Sequence, residues 1–109
     1  MEINQISQSF LSLAQETRLR VFKILSEYGR DGLPAGEISK RLGIPHNTLS
    51  FHLNNLKSAG LVACRREGRS MIYAADTQAI ESLIGFLQDN CCIYESAPAS
   101  TCKPAKERP

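Results

Sequence analysis

A tight turn at residues 43–45, Gly-Ile-Pro, constrains the fold of this 109-residue chain more than any other feature of its sequence. Gly43 can take the left-handed conformation that ends a helix, because it has no Cβ atom. Pro45 favours the start of a new helix, because its missing N–H group falls where no intrahelical partner exists. Beyond Pro45, apolar residues keep helical spacing as far as Gly60, at Leu49, Leu53 and Leu56. The pattern predicts two short helices joined by a tight turn.

A strand pattern and a basic turn follow the second of these helices. Residues 61–64 (Leu-Val-Ala-Cys) predict one strand, and residues 71–74 (Met-Ile-Tyr-Ala) predict its return strand. We expect a hairpin loop from Arg65 to Ser70, with Gly68 at the position that needs a positive φ. Helix, turn, helix and hairpin together predict a winged helix-turn-helix that binds duplex DNA. The fold class is therefore mostly α with a β-hairpin wing (α+β).

Positive charge is concentrated in the same stretch of chain. Residues 40–69 contain six basic side chains and one acidic side chain, so this segment has a formal charge of +5. Because the whole chain carries only +2, the remainder carries −3. Contact with DNA phosphates requires positive charge at the interface, so this distribution favours double-stranded DNA as the partner. The alternative is a solvated basic face with no ligand, but polar residues that could read bases precede the basic hairpin.

We expect the second helix to read bases and the hairpin to hold the DNA backbone. Residues at the beginning of a recognition helix contact base edges, and the candidates here are His46, Asn47, Thr48, Ser50 and Phe51. Phe51 could pack on the methyl group of a thymine. The candidates for contact with phosphates or the minor groove are Arg65, Arg66 and Arg69. His52 shares the inward side of the helix with the leucines, which predicts a partly buried histidine.

Apolar residues at helical spacing predict three more helices. One near the N-terminus carries a stripe at Ile3, Ile6, Phe10 and Leu13. Another covers about residues 16–28. The helix already predicted directly before the Gly-Ile-Pro turn covers about residues 35–42. A last helix, capped by Asp76 or Thr77, repeats the pattern at Ile80, Leu83, Ile84 and Leu87. A strand pair alone cannot bury this last stripe, and a domain this small gains a larger core by dimerising.

Three runs of the sequence carry a family signature. They are residues 16–25 (Glu-Thr-Arg-Leu-Arg-Val-Phe-Lys-Ile-Leu), 48–53 (Thr-Leu-Ser-Phe-His-Leu) and 57–62 (Lys-Ser-Ala-Gly-Leu-Val). Together with the Arg-Glu-Gly-Arg of the wing, they resemble the ArsR/SmtB family over about residues 5–88. Members are small bacterial repressors that release DNA when they bind a metal or metalloid. The resemblance implies a homodimer with an interface formed by the first and last helices; the alternative is that both helices cover the core of their own chain.

Three of the four cysteines, Cys91, Cys92 and Cys102, follow the last predicted helix. Thiolates select soft acceptors, so As(III), Sb(III) or a thiophilic metal are the candidate ligands. No histidine or carboxylate lies at a matching spacing, and three sulfurs suit a trigonal metalloid better than tetrahedral zinc. Asn90 could end the helix and free the adjacent cysteines to turn toward one centre. The alternatives are incidental surface thiols and a redox switch that forms a disulfide, and we expect Cys64 to serve packing.

The family resemblance extends to these cysteines with one departure. Arsenic sensors of the first-described type carry cysteines in the helix before the turn, where this chain has residues 33–38 (Leu-Pro-Ala-Gly-Glu-Ile) and no thiol. An adjacent cysteine pair with a third cysteine in a tail resembles a subgroup of arsenite-responsive members. The resemblance implies a sensor at the end of the last helix, with arsenite, As(III), as the effector. Sb(III) and trivalent organoarsenicals are the alternative inducers.

Length and composition predict one domain, residues 1–90, followed by a flexible cysteine-containing tail, residues 91–109. No apolar run could span a membrane and no signal peptide is recognisable, so we expect a cytoplasmic protein with reduced thiols. The predicted function is a homodimeric repressor that leaves an inverted-repeat operator when As(III) binds. One alternative is a repressor that responds to oxidation or to a thiophilic metal; another is a metalloid-binding thiol protein without DNA binding. No nucleophile–base pair or phosphate loop is present, so we do not expect an enzyme.

Overall fold

The helices begin and end close to the residues that the sequence predicts. The computed structural model describes residues 2–94, so Cys102 and the tail beyond Tyr94 lie outside the described residues. The elements are α1 (Ile3–Leu13), α2 (Glu16–Tyr28), β1 (Leu33–Pro34), α3 (Ala35–Leu42), α4 (His46–Ser58), β2 (Val62–Glu67), β3 (Ser70–Ala75) and α5 (Thr77–Asp89). A single 3₁₀ turn, Gly29–Asp31, follows α2. The predicted winged helix-turn-helix, mostly α with a β wing, is confirmed.

The core is built around the leucines of α4. Leu49, Leu53 and Leu56 are at most 1% exposed, and they belong to one cluster with buried residues of α2 and α3, namely Val21, Leu25 and Ile38. Burying a leucine side chain contributes roughly 1.5–3 kcal/mol. Because all three leucines lie on one side of α4, their burial fixes which side of the helix faces outward.

Hydrogen bonds fix the turn between α3 and α4 in addition to the glycine and the proline. Gly43 has φ 66° and ψ 35°, the left-handed conformation predicted for it. The Ile44 amide donates to the Ser39 carbonyl over 3.1 Å, and the Ser39 hydroxyl donates to the Ile44 carbonyl over 2.5 Å. The Ser39 carbonyl also accepts from the Gly43 amide, so it serves both amides that follow α3. Together they set the direction in which α4 leaves the turn.

The wing is a three-stranded antiparallel sheet in the order β1-β3-β2. Strands β2 and β3 pair along their full length, so only Gly68 and Arg69 form the turn. The predicted loop from Arg65 to Ser70 is therefore too long. Its first three residues, 65–67, belong to β2, because charged side chains at the edge of a sheet do not prevent the backbone from pairing. Gly68 has the predicted positive φ, 61°, which suits the first central position of a type II′ turn.

Strand β1 is absent from the sequence prediction, because two residues are too few to show a periodic pattern. It pairs Leu33 with Tyr73 of β3. Gly32, directly before it, has φ 65°, and a Cβ atom there would lie 2.3 Å from the carbonyl oxygen of Tyr73. Glycine is therefore required for the 3₁₀ turn to lie against β3.

The terminal helices divide their apolar stripes between the core and the surface. Ile6 of α1 and Leu83 of α5 are each 3% exposed and belong to the core of the single chain. Other large apolar side chains of these helices are 40% to 67% exposed: Ile3, Phe10, Leu11, Ile84 and Leu87. Neither terminal helix, nor any other helix in residues 2–94, is long and apolar enough to cross a membrane.

Candidate nucleic-acid interface and thiol site

The first turns of α4 present polar side chains away from the leucine core. The predicted base-reading residues all lie there, with Ser50 half-buried and the others exposed: His46, Asn47, Thr48 and Phe51. The Oδ1 atom of Asn47 accepts a 2.9 Å hydrogen bond from the Thr48 amide, which satisfies a donor at the start of the helix. Phe51 is 64% exposed although its ring is apolar. The structure thus brings all five residues to one end of one helix.

His52 is buried, as predicted, and it contacts α2. It is 8% exposed, and Nη1 of Arg18 lies 3.3 Å from its Nδ1 atom. Because a guanidinium can only donate, Nδ1 is the acceptor and the proton of the neutral ring is on Nε2. Burial first, and then the positive charge of Arg18, lower the pKa of His52 below its usual value of 6.5. His52 is therefore a neutral contact between α4 and α2.

Two buried serines join α4 to α1. The Ser12 hydroxyl donates to Asn55 Oδ1 over 2.7 Å, and the Ser9 hydroxyl donates to the Ala59 carbonyl over 3.3 Å. Arg18 adds a 2.7 Å bond from Nε to the Ser12 carbonyl. An apolar stripe does not reveal these serines, since a hydroxyl side chain is not counted in it. Their spacing of three and six residues from Ile6 is the signal that would place them on the inward face.

The turn of the wing presents two arginines, Arg66 and Arg69, which are both exposed. The Nε atom of Arg66 donates to the carbonyl of Gly68 over 3.3 Å, a bond at the weak end of the usual range. Exposed guanidinium groups suit phosphate oxygens, to which they can donate two parallel hydrogen bonds. Both arginines therefore lie where the sequence prediction needs them.

Arg65 is engaged by its own chain. Its Nη1 and Nη2 atoms donate to the carbonyls of Arg30 and Asp31 over 2.9 and 3.0 Å. Its Nε atom donates to the Glu67 carboxylate over 2.8 Å. Three hydrogen bonds therefore hold a guanidinium that the sequence predicts to contact DNA.

Arg41, another member of the basic segment, packs against α2. Its guanidinium carbon lies 4.9 Å from the centroid of the Tyr28 ring, and its Nε atom is 3.4 Å from the Glu37 carboxylate. Arg41 and Arg65 each have an acidic partner in the chain. Glu67 is already counted in the formal charge of +5 on residues 40–69, whereas Glu37 lies outside that segment. Only the pairing of Arg41 with Glu37 therefore lowers the charge that this segment offers to DNA.

Comparison with known proteins identifies the family. Residues 13–65 match the model of a helix-turn-helix domain family. The transcriptional activator HlyU of Vibrio cholerae is 31% identical over 81 residues, which are 74% of this chain and 72% of HlyU. The structure of an ArsR-like transcriptional regulator from Rhodococcus sp. RHA1 is similar with a TM-score of 0.71 and 27% identity, covering 79% of this chain and 78% of that chain. The homodimeric winged helix-turn-helix DNA-binding domain of Mb0332 from Mycobacterium bovis, a possible ArsR-family regulator, has a TM-score of 0.64 and 26% identity, with 89% of this chain and 90% of that chain covered.

The chain belongs to the ArsR family of winged-helix transcriptional regulators. Its relatives are regulators with a DNA-binding fold, and transcription regulation is therefore its general function. Because HlyU is an activator, membership of the ArsR family does not decide between activation and repression.

In this ArsR-family chain, two cysteines lie where α5 ends. The side-chain amide of Asn90 donates to the Phe86 carbonyl over 2.8 Å, and the prediction that Asn90 ends the helix is confirmed. Cys92 has φ 61°, a left-handed conformation that residues other than glycine rarely adopt. The Sγ atoms of Cys91 and Cys92 are 3.4 Å apart. The structure therefore brings the sulfur atoms of two of the three predicted ligand residues together, whereas Cys102 lies outside the described residues.

Cys64 lies in β2, directly opposite Tyr73 of β3. Burial is the main reason why the pKa of Tyr73 is raised, and the charge and hydrogen bond of Cys64 add to it. Cys64 is half-buried. This placement agrees with the packing role expected for it.

Proposed function

We propose that this ArsR-family regulator is a repressor that binds operator DNA as a homodimer and is released when As(III) binds its C-terminal cysteines. One observation carries the DNA-binding part: five side chains able to read bases share the exposed end of α4. The As(III) response is supported by the adjacent sulfurs, 3.4 Å apart at the end of α5.

The exposed end of α4 would enter the major groove, where the first residues of a recognition helix contact bases. Asn47 can donate to and accept from an adenine, and Phe51 can contact a thymine methyl group. His46, Thr48 and Ser50 supply further donors and acceptors for base edges or phosphates. Arg66 and Arg69 would hold the DNA backbone beside the groove or enter the minor groove.

A homodimer is supported by the exposed apolar residues of the terminal helices. Ile84 and Leu87 of α5 are 49% and 54% exposed, and Ile3 and Leu11 of α1 are 67% and 66% exposed. Covering these residues with a second copy would remove exposed apolar surface from water. A two-fold dimer would also present two copies of α4 to successive major grooves, about 34 Å apart, and so match an inverted-repeat operator.

As(III) suits these cysteines because it is soft and takes three sulfur ligands. Within residues 2–94, no group of three histidine, cysteine or carboxylate side chains could hold a metal ion. Cys102 would therefore supply the third thiolate beside Cys91 and Cys92. Each As–O bond of arsenous acid is replaced by an As–S bond, and each thiol proton leaves with hydroxide as water. Sb(III) and trivalent organoarsenicals share this chemistry.

Binding at the end of α5 can act on DNA only if As(III) favours a conformation with lower DNA affinity. The described contacts offer a route. Leu83 of α5 and Ile6 of α1 belong to the same core cluster, and α1 bonds to α4 through Ser9 and Ser12. A shift of α5 in the dimer would therefore change the support of α4.

Oxidation of the same cysteines is the second candidate signal, because neighbouring sulfurs that bind As(III) can also form disulfides. The two signals differ in how they respond to a reductant. As(III) binds reduced thiols and therefore acts when a reductant is present, whereas a reductant reverses an oxidative signal.

Titration of a DNA complex with arsenite tests the proposal. Duplex DNA that the full chain selects from a random pool would be labelled, and its binding followed by fluorescence anisotropy. Arsenite should release the DNA in the presence of a monothiol reductant. Release by peroxide alone, reversed by the reductant, would support the redox alternative, and absence of selected DNA would refute the DNA-binding part.

A further inference from the structure

One wing arginine differs from its neighbours, and we infer that Arg65 is a positioning residue that holds the wing against the 3₁₀ turn, not a phosphate contact. The inference rests on the proposed DNA-binding function and concerns how Arg66 and Arg69 are presented to DNA. It replaces the sequence prediction that all three wing arginines hold the DNA backbone.

The guanidinium of Arg65 bonds to chain that lies 34 and 35 residues earlier. Its two Nη atoms donate to successive carbonyls, those of Arg30 and Asp31. A planar fork of N–H donors fits two neighbouring acceptors, which a single ammonium group cannot match. The two carbonyls end a 3₁₀ turn, where the backbone has no further helical partner. The contact therefore satisfies both the N–H donors of the guanidinium and the two carbonyl acceptors of the turn.

The charge of Arg65 is partly neutralised by Glu67, whose carboxylate lies 2.8 Å away on the same face of β2. Both side chains are partly exposed, 43% and 58%, so this ion pair adds little stability by itself. The ion pair matters more for the attraction to DNA than for stability, because Arg65 and Glu67 together have no net charge. Arg66 is the next residue in the strand and points to the opposite face. Neighbouring arginines of one strand therefore have different surroundings.

The position of Arg65 in the sheet explains why the contact matters. The sheet order is β1-β3-β2, so the side chain must cross β3 to reach the turn that precedes β1. The base of the β2–β3 hairpin is held by the core through the buried Val62 and Ile72, and β3 pairs with β1. From Arg65 to Met71 the hairpin is exposed, and an exposed two-stranded hairpin is marginally stable by itself. Arg65 gives the outer strand an attachment of its own.

Three variants of the full chain separate positioning from phosphate contact: Arg65→Ala, Arg65→Lys and Arg66→Ala. Affinity for the selected duplex is measured between about 50 and 200 mM salt, where phosphate contacts have a large effect. Arg66→Ala should lower the salt slope by about one unit. Arg65→Ala should weaken binding roughly tenfold, the worth of one charge-assisted hydrogen bond, with much less than one unit of slope lost. Arg65→Lys should resemble Arg65→Ala, although it keeps the positive charge.

Amide hydrogen exchange of the free protein gives a second measurement that needs no DNA. Both Arg65 variants should speed exchange in the β2–β3 hairpin and in residues 30–34. Arg66→Ala should keep the parental rates, and so should Glu67→Gln, which retains an acceptor for Nε.

The inference is overturned if Arg65→Lys restores parental affinity, or if Arg65→Ala loses a full unit of salt slope while wing exchange stays unchanged. Failure of the parent chain to bind duplex DNA would instead refute the proposed function. In that case the exchange rates alone would still decide whether Arg65 positions the wing.

Discussion

Phe51 and His52 are neighbours in α4, yet they serve opposite sides of the helix. Adjacent helical residues point about 100° apart, and here Phe51 is 64% exposed whereas His52 is 8% exposed. Phe51 faces solvent, where the proposed function has it contact DNA, and His52 accepts a hydrogen bond from Arg18. The ionisation of His52 therefore affects how α4 is supported, without a direct contact to DNA.

The lowered pKa of His52 predicts that the fold loses stability when the solution is acidified. Below pH 6.5 the unfolded chain binds a proton at this histidine while the folded chain still resists it. This part of the stability is fully present above pH 6.5 and is lost as the pH falls through the lower folded pKa. Urea unfolding at about pH 7.5 and pH 5.5 would measure the free energy of unfolding in both conditions.

A His52→Gln variant is the matched control, since glutamine keeps an acceptor for Arg18 but does not titrate. Other titrating groups, including His46, are unchanged in this comparison. The parent should lose more stability on acidification than the variant. Equal losses would show that protonation of His52 does not oppose folding.

Asn47 provides a test of base reading at the scale of a single side chain. Asn47→Ala should lower affinity for the selected duplex by about 1–3 kcal/mol and relax the base preference at one position of each half-site. The salt slope should stay the same, because no charge is removed. Asn54→Ala is the control, since Asn54 is an exposed asparagine farther along the same helix. An equal effect of both variants would contradict the assignment of base reading to the first turns of α4.

At the scale of elements, local signals predict the fold well where an element is set by its own residues. Glycine, proline and apolar spacing place α3 and α4 correctly, because helix ends and faces depend on nearby residues. Strand β1 and its contact with β3 could not be predicted in this way, since Gly32 is needed only because the Tyr73 carbonyl lies beside it. The same reason separates Arg65 from Arg66: the carbonyls that bind Arg65 are far away in sequence.

The candidate site shows the same division between local and distant causes. The position of the proposed base-reading residues follows from their place after Pro45, and the helix end at Asn90 follows from local capping. The links of α4 to Ser9 and Ser12 depend on how two distant helices pack. Sequence patterns predict which face is apolar, but they do not distinguish apolar residues buried in the core from those left exposed, as Leu83 and Leu87 demonstrate.

The divided stripe of α5 leads to a prediction about assembly. Leu87→Lys should dissociate the homodimer and weaken operator binding together, because a charge would be buried in the proposed interface while the monomer core stays intact. Analytical ultracentrifugation and anisotropy would report the two losses. Leu83→Ala should instead lower the stability of the fold by about 2–5 kcal/mol, since it leaves a cavity in the core.

Leu19→Lys is the matched control for this prediction. Leu19 lies on α2 and is 53% exposed, compared with 54% for Leu87, so both changes place a charge on a similarly exposed leucine. The Leu19 variant should remain dimeric. A Leu87→Lys protein that sediments as a dimer and binds DNA tightly would show that the interface lies elsewhere.

For the whole molecule, the base-reading end of α4 and the cysteines at the end of α5 belong to different elements. Among the described residues, the buried core contains no residue beyond Leu83. A chain that ends after Tyr94 should therefore fold, form a dimer and bind the operator as the parent does. It should lose most of its response to arsenite, because two thiolates hold a three-coordinate centre less tightly than three. Circular dichroism, sedimentation and arsenite titration of the DNA complex would measure these properties in turn.

Cys102→Ser should reproduce the effect of this truncation in the full chain, whereas Cys64→Ser, which removes a thiol from the wing, should respond to arsenite as the parent does. The comparison separates loss of a ligand from loss of the tail as a whole. A monomethylated arsenical with two open positions should still act on the Cys102 variant, since Cys91 and Cys92 can fill both. If arsenite releases the Cys102→Ser protein as readily as the parent, the three-thiol site is wrong and the adjacent pair alone is the sensor.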